Sequence, residues 1–216
     1  MSAVPARKRK WLSPASMLVA AGLVGAILMS LAMSNTLSAF VATITNSNNT
    51  AASGTVILQE TSGATICNST DGTGNNVSNN AFTCTSINKY GGSTVMVPGS
   101  TVTTTLGFKN TGTATAASFA LAPGACTQGV NGANNGTAID FCSKLNVVIS
   151  SGGTTIKAAT AAALASGGAI IIPPANIPAP GGASVPFTVA VTLDATVGNT
   201  YQGLSASQPL VWTLSS

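Results

Sequence analysis

The chain has 216 residues; 6% of them are charged, and 45% are hydrophobic, where roughly 25% charged is usual for a soluble domain. Its formal net charge of +4 sits in Arg7, Lys8, Arg9 and Lys10, because beyond residue 39 Lys89, Lys109, Lys144 and Lys157 balance Glu60, Asp71, Asp140 and Asp194. That leaves no basic stripe to neutralise phosphates and excludes nucleic acid as a partner; the lack of any histidine excludes Ser-His-Asp and Cys-His catalysis.

The four cations are followed by an apolar run, Met17–Met33, and then by Leu37-Ser38-Ala39. A basic start, an apolar middle and small residues at the end follow the plan of an export signal. The expected organisation is a signal helix over residues 1–39, cleaved between Ala39 and Phe40, and a single domain over 40–216. Cleavage after Ser34 also fits the small-residue rule. Without cleavage, Trp11–Phe40 is long enough to serve as a membrane anchor with its cations inside. The membrane is otherwise touched only through the leader, before cleavage.

The first strand expected after the cut is Phe40–Thr45. Phe40, Ala42 and Ile44 alternate with Val41, Thr43 and Thr45, which gives a thin apolar face. Ser53–Thr61 reads as a second strand and Ala64–Cys67 as a third. Asn68–Asn80 is too polar for anything but a loop. Phe82–Ile87 reads as a short strand. Pro98-Gly99 turns the chain into Thr101–Phe108, which is β-branched and Thr-rich. Ala117–Leu121 is the next strand, and Pro123–Asp140 a long Gly/Asn loop. Lys144–Ser150 and Thr154–Ile156 are strands joined by Gly152-Gly153. Ala158–Ser166 is the one credible helix in this part, favoured by alanine and leucine and ended by Gly167-Gly168. Ala169–Ile172 is apolar and brief, and Pro173–Pro180 is unfit for an inner strand. Val185–Leu193 alternates well, Val197–Gly203 turns, and Pro209–Leu214 closes the chain. About ten short strands with frequent turns and one helix make the pattern of an all-β antiparallel sandwich or jelly roll.

Cys67, Cys84, Cys126 and Cys142 are even in number and lie behind an export signal, which points to disulfides. Three pairings are open. The nearest-neighbour pairing, Cys67–Cys84 and Cys126–Cys142, closes two Gly/Asn/Thr-rich loops. A four-thiolate zinc site would need C-x-x-C pairs, and there are none. Other chemistry finds little to stand on. A Ser–Lys dyad through one of the four lysines has no serine singled out for it, and four scattered acids give no ligand cluster. Asp71-Gly72-Thr73-Gly74-Asn75-Asn76 offers oxygens for calcium but reads more simply as a polar turn. Tyr90, Tyr201 and Trp212 make a candidate sugar-stacking platform, with Trp212 read more simply as core. No enzyme activity and no cofactor are expected.

Several segments together resemble the TasA/camelysin family of exported bacterial surface and biofilm-matrix proteins. They are Ser38-Ala39-Phe40 running straight into a strand; Val97-Pro98-Gly99-Ser100 before Leu106-Gly107-Phe108-Lys109-Asn110-Thr111-Gly112; the inserted helix Ala158–Ser166; and Phe187–Val191 leading to Asn199–Gly203 and Trp212-Thr213-Leu214. The resemblance implies a jelly-roll fold, export through a specialised signal peptidase and a fibre-forming role. The metallopeptidase activity described for camelysin-like members does not carry over to a chain without histidine. The expected function is an exported, self-associating subunit of a surface or matrix fibre, assembled through the strand Phe40–Thr45 freed by cleavage. The alternative is a monomeric or membrane-tethered exported module that contacts cell-wall glycan.

Overall fold

A computed structural model of the protein describes residues 43–72 and 77–216, with Gly22, Leu23, Gly25, Ala26 and Met29 of the leader. The chain divides into two units, residues 1–51 and 52–216. In the first, those five leader residues are helical and exposed. Residues 43–50 are exposed and carry no regular secondary structure. The strand expected over Phe40–Thr45 is therefore not formed at Thr43, Ile44 and Thr45. A short segment with small alternating side chains needs a ladder partner to stay extended, and none pairs with these three residues. Phe40, Val41, Ala42 and the cleavage residue Ala39 lie outside the described residues.

The second unit is all-β apart from one short α-helix. Its largest sheet is antiparallel throughout and has the order β2-β1-β3-β9-β6-β7. The strands are β1 (Leu58–Ser62), β2 (Thr65–Asn68), β3 (Thr101–Asn110), β6 (Leu145–Ser151), β7 (Thr154–Thr160) and β9 (Val185–Leu193). A second sheet has the order β11-β4-β8, from β4 (Ser118–Pro123), β8 (Ile170–Ile171) and β11 (Leu210–Ser215). A further pair, β5 (Thr127–Val130) with β10 (Leu204–Ser207), prolongs the β4–β11 ribbon past a kink. At the kink the Gly124 N–H donates to Pro209 O at 2.8 Å.

Period-2 alternation explains how the sheets face each other. In β9, Phe187, Val189, Val191 and Leu193 are buried, while the residues between them are only partly covered. Phe108 of β3 and Phe187 of β9 meet Phe119 of β4 and Trp212 of β11, with ring centroids 4.4–5.9 Å apart. These rings tie the two sheets together, and each fully buried phenylalanine contributes about 1.5–3 kcal/mol by area alone.

The segment from Phe108 to Gly112 has a physical reason for each residue. Phe108 fills the core. Asn110 is fully buried. Its Oδ1 accepts from Gly112 N at 3.0 Å and Ile57 N at 3.4 Å, and its Nδ2 donates to Ala114 O at 2.9 Å. Gly112 must lack a side chain, because a Cβ there would sit 2.1 Å from Thr55 O. Upstream, Ser100 N donates to Val97 O at 2.9 Å, and Gly99 has φ 81°. Pro98 then Gly99 is the residue pair a type II turn requires.

Several expected boundaries move. Residues 53–57 form no ladder. Thr55 and Ile57 instead bond to the turn after β3, where Asn110 takes the place of a strand partner. Phe82–Ile87 is not a strand: only Ile87 is buried and Phe82 is 43% exposed, so the segment has no apolar face to seat. The long loop 123–140 contains β5, and β10 follows the turn at 197–203. Their sequences, TQGV and LSAS, have weak local strand character, and long-range pairing makes them strands. The helix, α1 (Ala161–Ser166), starts three residues later than expected, because Ala158, Ala159 and Thr160 pair with β6. Thr160 then caps the helix, its Oγ1 accepting from Ala163 N at 3.2 Å.

Candidate functional site

Strand β11 lies at the edge of its sheet. Pro209 O and Ser215 O both accept bonds on the β4 side, from Gly124 N and Ala117 N. Alternation then turns the N–H and C=O groups of Leu210, Trp212 and Leu214 away from β4. Among the described residues no backbone group pairs with that outer edge. The side chains of the same three residues are only partly covered.

Beside this edge runs a groove of about 750 Å3. β11 forms one wall. Leu58 and Glu60 of β1 and Cys67 of β2 form the other, and residues 80–90 close it. Trp212 lines the groove, and its indole Nε1 is buried without a hydrogen-bond partner. Sequence reading places Trp212 in the core. It is in contact with three core phenylalanines, yet it also remains partly open to the groove.

The closing segment is held at three points. Cys84 is bonded to Cys67. Lys89 Nζ lies 2.9 Å from Glu60 Oε1, with both side chains largely buried. Burial pushes the Glu60 carboxyl above its ordinary value, and the Lys89 charge and hydrogen bond pull it back. Tyr90 donates its hydroxyl to Gln208 Oε1, and burial pushes the Tyr90 phenol up to about 12. Gln208 Nε2 donates to Gly124 O at 2.8 Å and Ala161 O at 3.0 Å, so one side chain joins the ribbon kink, the helix and the closing segment. Spacing alone gives no sign of the Glu60–Lys89 pair or of Gln208, since their partners are distant in sequence.

The second disulfide joins Cys126, at the ribbon kink, to Cys142. Near it, Tyr201 donates its hydroxyl to Asp140 Oδ1 at 2.7 Å. That bond first, with some burial, raises the Tyr201 phenol above its usual range. Lys144 Nζ lies 3.9 Å from Asp140 Oδ2 and 5.8 Å from the Tyr201 ring centre. Asp194 accepts from Thr196 N and Oγ1, both at 2.8 Å, and the backbone bond first holds its carboxyl below the ordinary value.

Asp71 turns its carboxylate back on its own loop, with Oδ2 2.6 Å from Asn68 N and Oδ1 3.1 Å from Asn68 Nδ2; residues 73–76, the rest of the calcium candidate, lie outside the described residues. No group of three or more His, Cys, Asp or Glu side chains is placed to hold a metal among the described residues. The three aromatics considered as a sugar platform do not share one site: Tyr90 lines the groove beside β11 together with Trp212 and also a second cavity together with Tyr201, while Tyr201 and Trp212 lie in different cavities.

No protein-family model matches the chain, and no curated protein matches it. The two disulfides fit an oxidising environment, extracellular or periplasmic. No helix among the described residues is long and apolar enough to cross a membrane.

Proposed function

We propose that the protein is an exported structural subunit of a cell-surface or matrix fibre, of the TasA/camelysin kind. In this reading the β unit is a jelly roll. Support for that comes from the chain passing between the facing sheets from β3 to β4, from β8 to β9 and from β9 to the β10–β11 segment. The leader directs export and is removed before Phe40.

The observation that carries the proposal is the outer edge of β11, with which no described residue pairs, above a groove walled by β1 and β2. A sandwich that leaves a groove along a free edge has room for one more strand. The segment Phe40–Thr45 is six residues long, as is β11, so both extend about 20 Å as strands. Phe40, Ala42 and Ile44 would enter the groove, with Val41, Thr43 and Thr45 outside. The groove-facing backbone of Leu210, Trp212 and Leu214 would be satisfied by the inserted strand. When that strand comes from the next subunit, the contact is heterologous and propagates as a filament. The low charge of the surface weakens repulsion between copies.

Electron microscopy of the processed, exported protein tests this. Uniform filaments that disappear when residues 40–45 are deleted are expected. A monodisperse monomer with Phe40 at its N-terminus would refute the assembly.

A further inference from the structure

A second cavity, of about 340 Å3, shares Asn88, Tyr90 and Ala206 with the β11 groove and is lined by β10 and the turn before it. Its apolar lining includes Leu193 and Leu204, and Tyr90 and Tyr201 both border it. Four carboxamides are among its polar lining residues, Asn88, Asn131, Asn199 and Gln202, beside the hydroxyls of Ser93, Thr94 and Ser205. Among the described residues none of its lining is charged.

Each carboxamide is half used. Asn131 Nδ2 donates to Thr94 O at 2.8 Å, which leaves Oδ1. Gln202 Nε2 donates to Asn199 Oδ1 at 3.3 Å, which leaves Gln202 Oε1 and Asn199 Nδ2. Asn88 Oδ1 accepts from Tyr90 N at 3.0 Å, which leaves Nδ2. The border thus holds both donors and acceptors without charge, over an apolar and aromatic lining. The nearby charges, Asp140 and Lys144, contact Tyr201 but face each other at 3.9 Å and are not among the described lining residues. All four carboxamides are exposed, so their spare atoms can exchange water for the hydroxyls of a polar ligand. A pyranose ring matches all three features: it is neutral, carries adjacent hydroxyls that both donate and accept, and has an apolar face for an aromatic side chain. The volume is at the lower end of ligand cavities, enough for one small ring system.

We propose that this cavity binds a single neutral pyranose unit, as a free sugar or as a terminal residue of a glycan. The site does not rest on the fibre reading: it uses β10 and the 197–203 turn, and it is present in the single subunit. With about a dozen heavy atoms in a pyranoside, a dissociation constant on the order of millimolar is expected.

The test is an NMR titration of the intact exported protein with methyl glucopyranoside, methyl mannopyranoside, N-acetylglucosamine and a neutral oligosaccharide ending in each. Glucuronate serves as the charged control, and a peptide with the sequence FVATIT as the rival occupant. The proposal expects at least one neutral sugar to shift the amides of residues 199–206. Asn199→Ala and Gln202→Ala, each checked for an unchanged amide spectrum elsewhere, should weaken that binding about tenfold. A free sugar and the matching oligosaccharide binding equally identify a single-unit site, and a gain for the oligosaccharide identifies a glycan terminus. The proposal is overturned if no neutral sugar shifts these amides, if glucuronate binds as well, if only the peptide binds, or if both variants retain full affinity. Filament formation is read separately by microscopy, so either reading can fail alone.

Discussion

Asn110 is polar yet completely buried, and it is tolerable because its three bonds leave neither of its side-chain atoms orphaned. Asn110→Ala would strand the N–H groups of Ile57 and Gly112 and the carbonyl of Ala114. A loss of about 2–4 kcal/mol is expected in urea unfolding. Asn110→Asp should cost at least as much at neutral pH, because the aspartate cannot donate to Ala114 O. Glu60 and Lys89 pose the opposite case, a buried charge pair. Removing Lys89 leaves the buried carboxylate uncompensated, so Lys89→Met should destabilise by about 3 kcal/mol at neutral pH, and adding Glu60→Leu should recover most of that. The pH dependence has a defined sign. The folded-state carboxyl of Glu60 titrates above its ordinary 4.5, so the folded protein binds that proton more tightly than the unfolded chain. Stability relative to a Glu60→Gln variant should therefore be greatest below pH 4.5 and decline as pH rises through the folded pKa. A difference that grew with pH would contradict the burial argument.

At the scale of elements, the strands that carry their own alternation were legible. Thr101–Phe108, Lys144–Ser150 and Val185–Leu193 fall within about two residues of β3, β6 and β9. So was the helix, apart from its first turn, which pairing with β6 claims for β7. What local pattern could not show is β5 and β10, whose strand character comes only from each other. Nor could it show that Phe82–Ile87 lacks a ladder, since a disulfide and an ion pair hold it in place instead. The cysteines left three pairings open by count alone. The groove was not legible: Pro209–Leu214 could be read as a strand, but that no described residue pairs with its outer edge is a property of the completed sheet. The Cys67–Cys84 bond joins residues 17 apart, and its removal by Cys67→Ser with Cys84→Ser should cost about 3 kcal/mol. Hydrogen exchange should locate the effect, with faster exchange in residues 80–90 and unchanged protection in β6 and β9. Uniform acceleration throughout the unit would mean that this loop is not a separate wall of the groove.

For the molecule as a whole, the proposed fibre depends on backbone groups rather than on any side-chain motif, and this allows a sharp test. Leu214 and Thr213 are neighbours in β11 whose backbone groups point in opposite directions. The N–H of Leu214 faces the groove, and that of Thr213 bonds to β4. Proline removes the N–H at either position. Leu214→Pro should leave the β4–β11 ladder intact, because proline is tolerated where an edge strand's N–H faces outward. It loses some side-chain packing, so a cost of about 1–3 kcal/mol is expected, with a folded monomer that no longer extends filaments. Thr213→Pro changes an exposed side chain but takes a bond from the sheet itself, and should destabilise the isolated subunit by about 3 kcal/mol or more. Thermal unfolding of the two monomers, set beside filament yield by light scattering, separates the outcomes. If Leu214→Pro assembles at the wild-type rate, the β11 edge is not where subunits join, and the groove beside it needs another occupant.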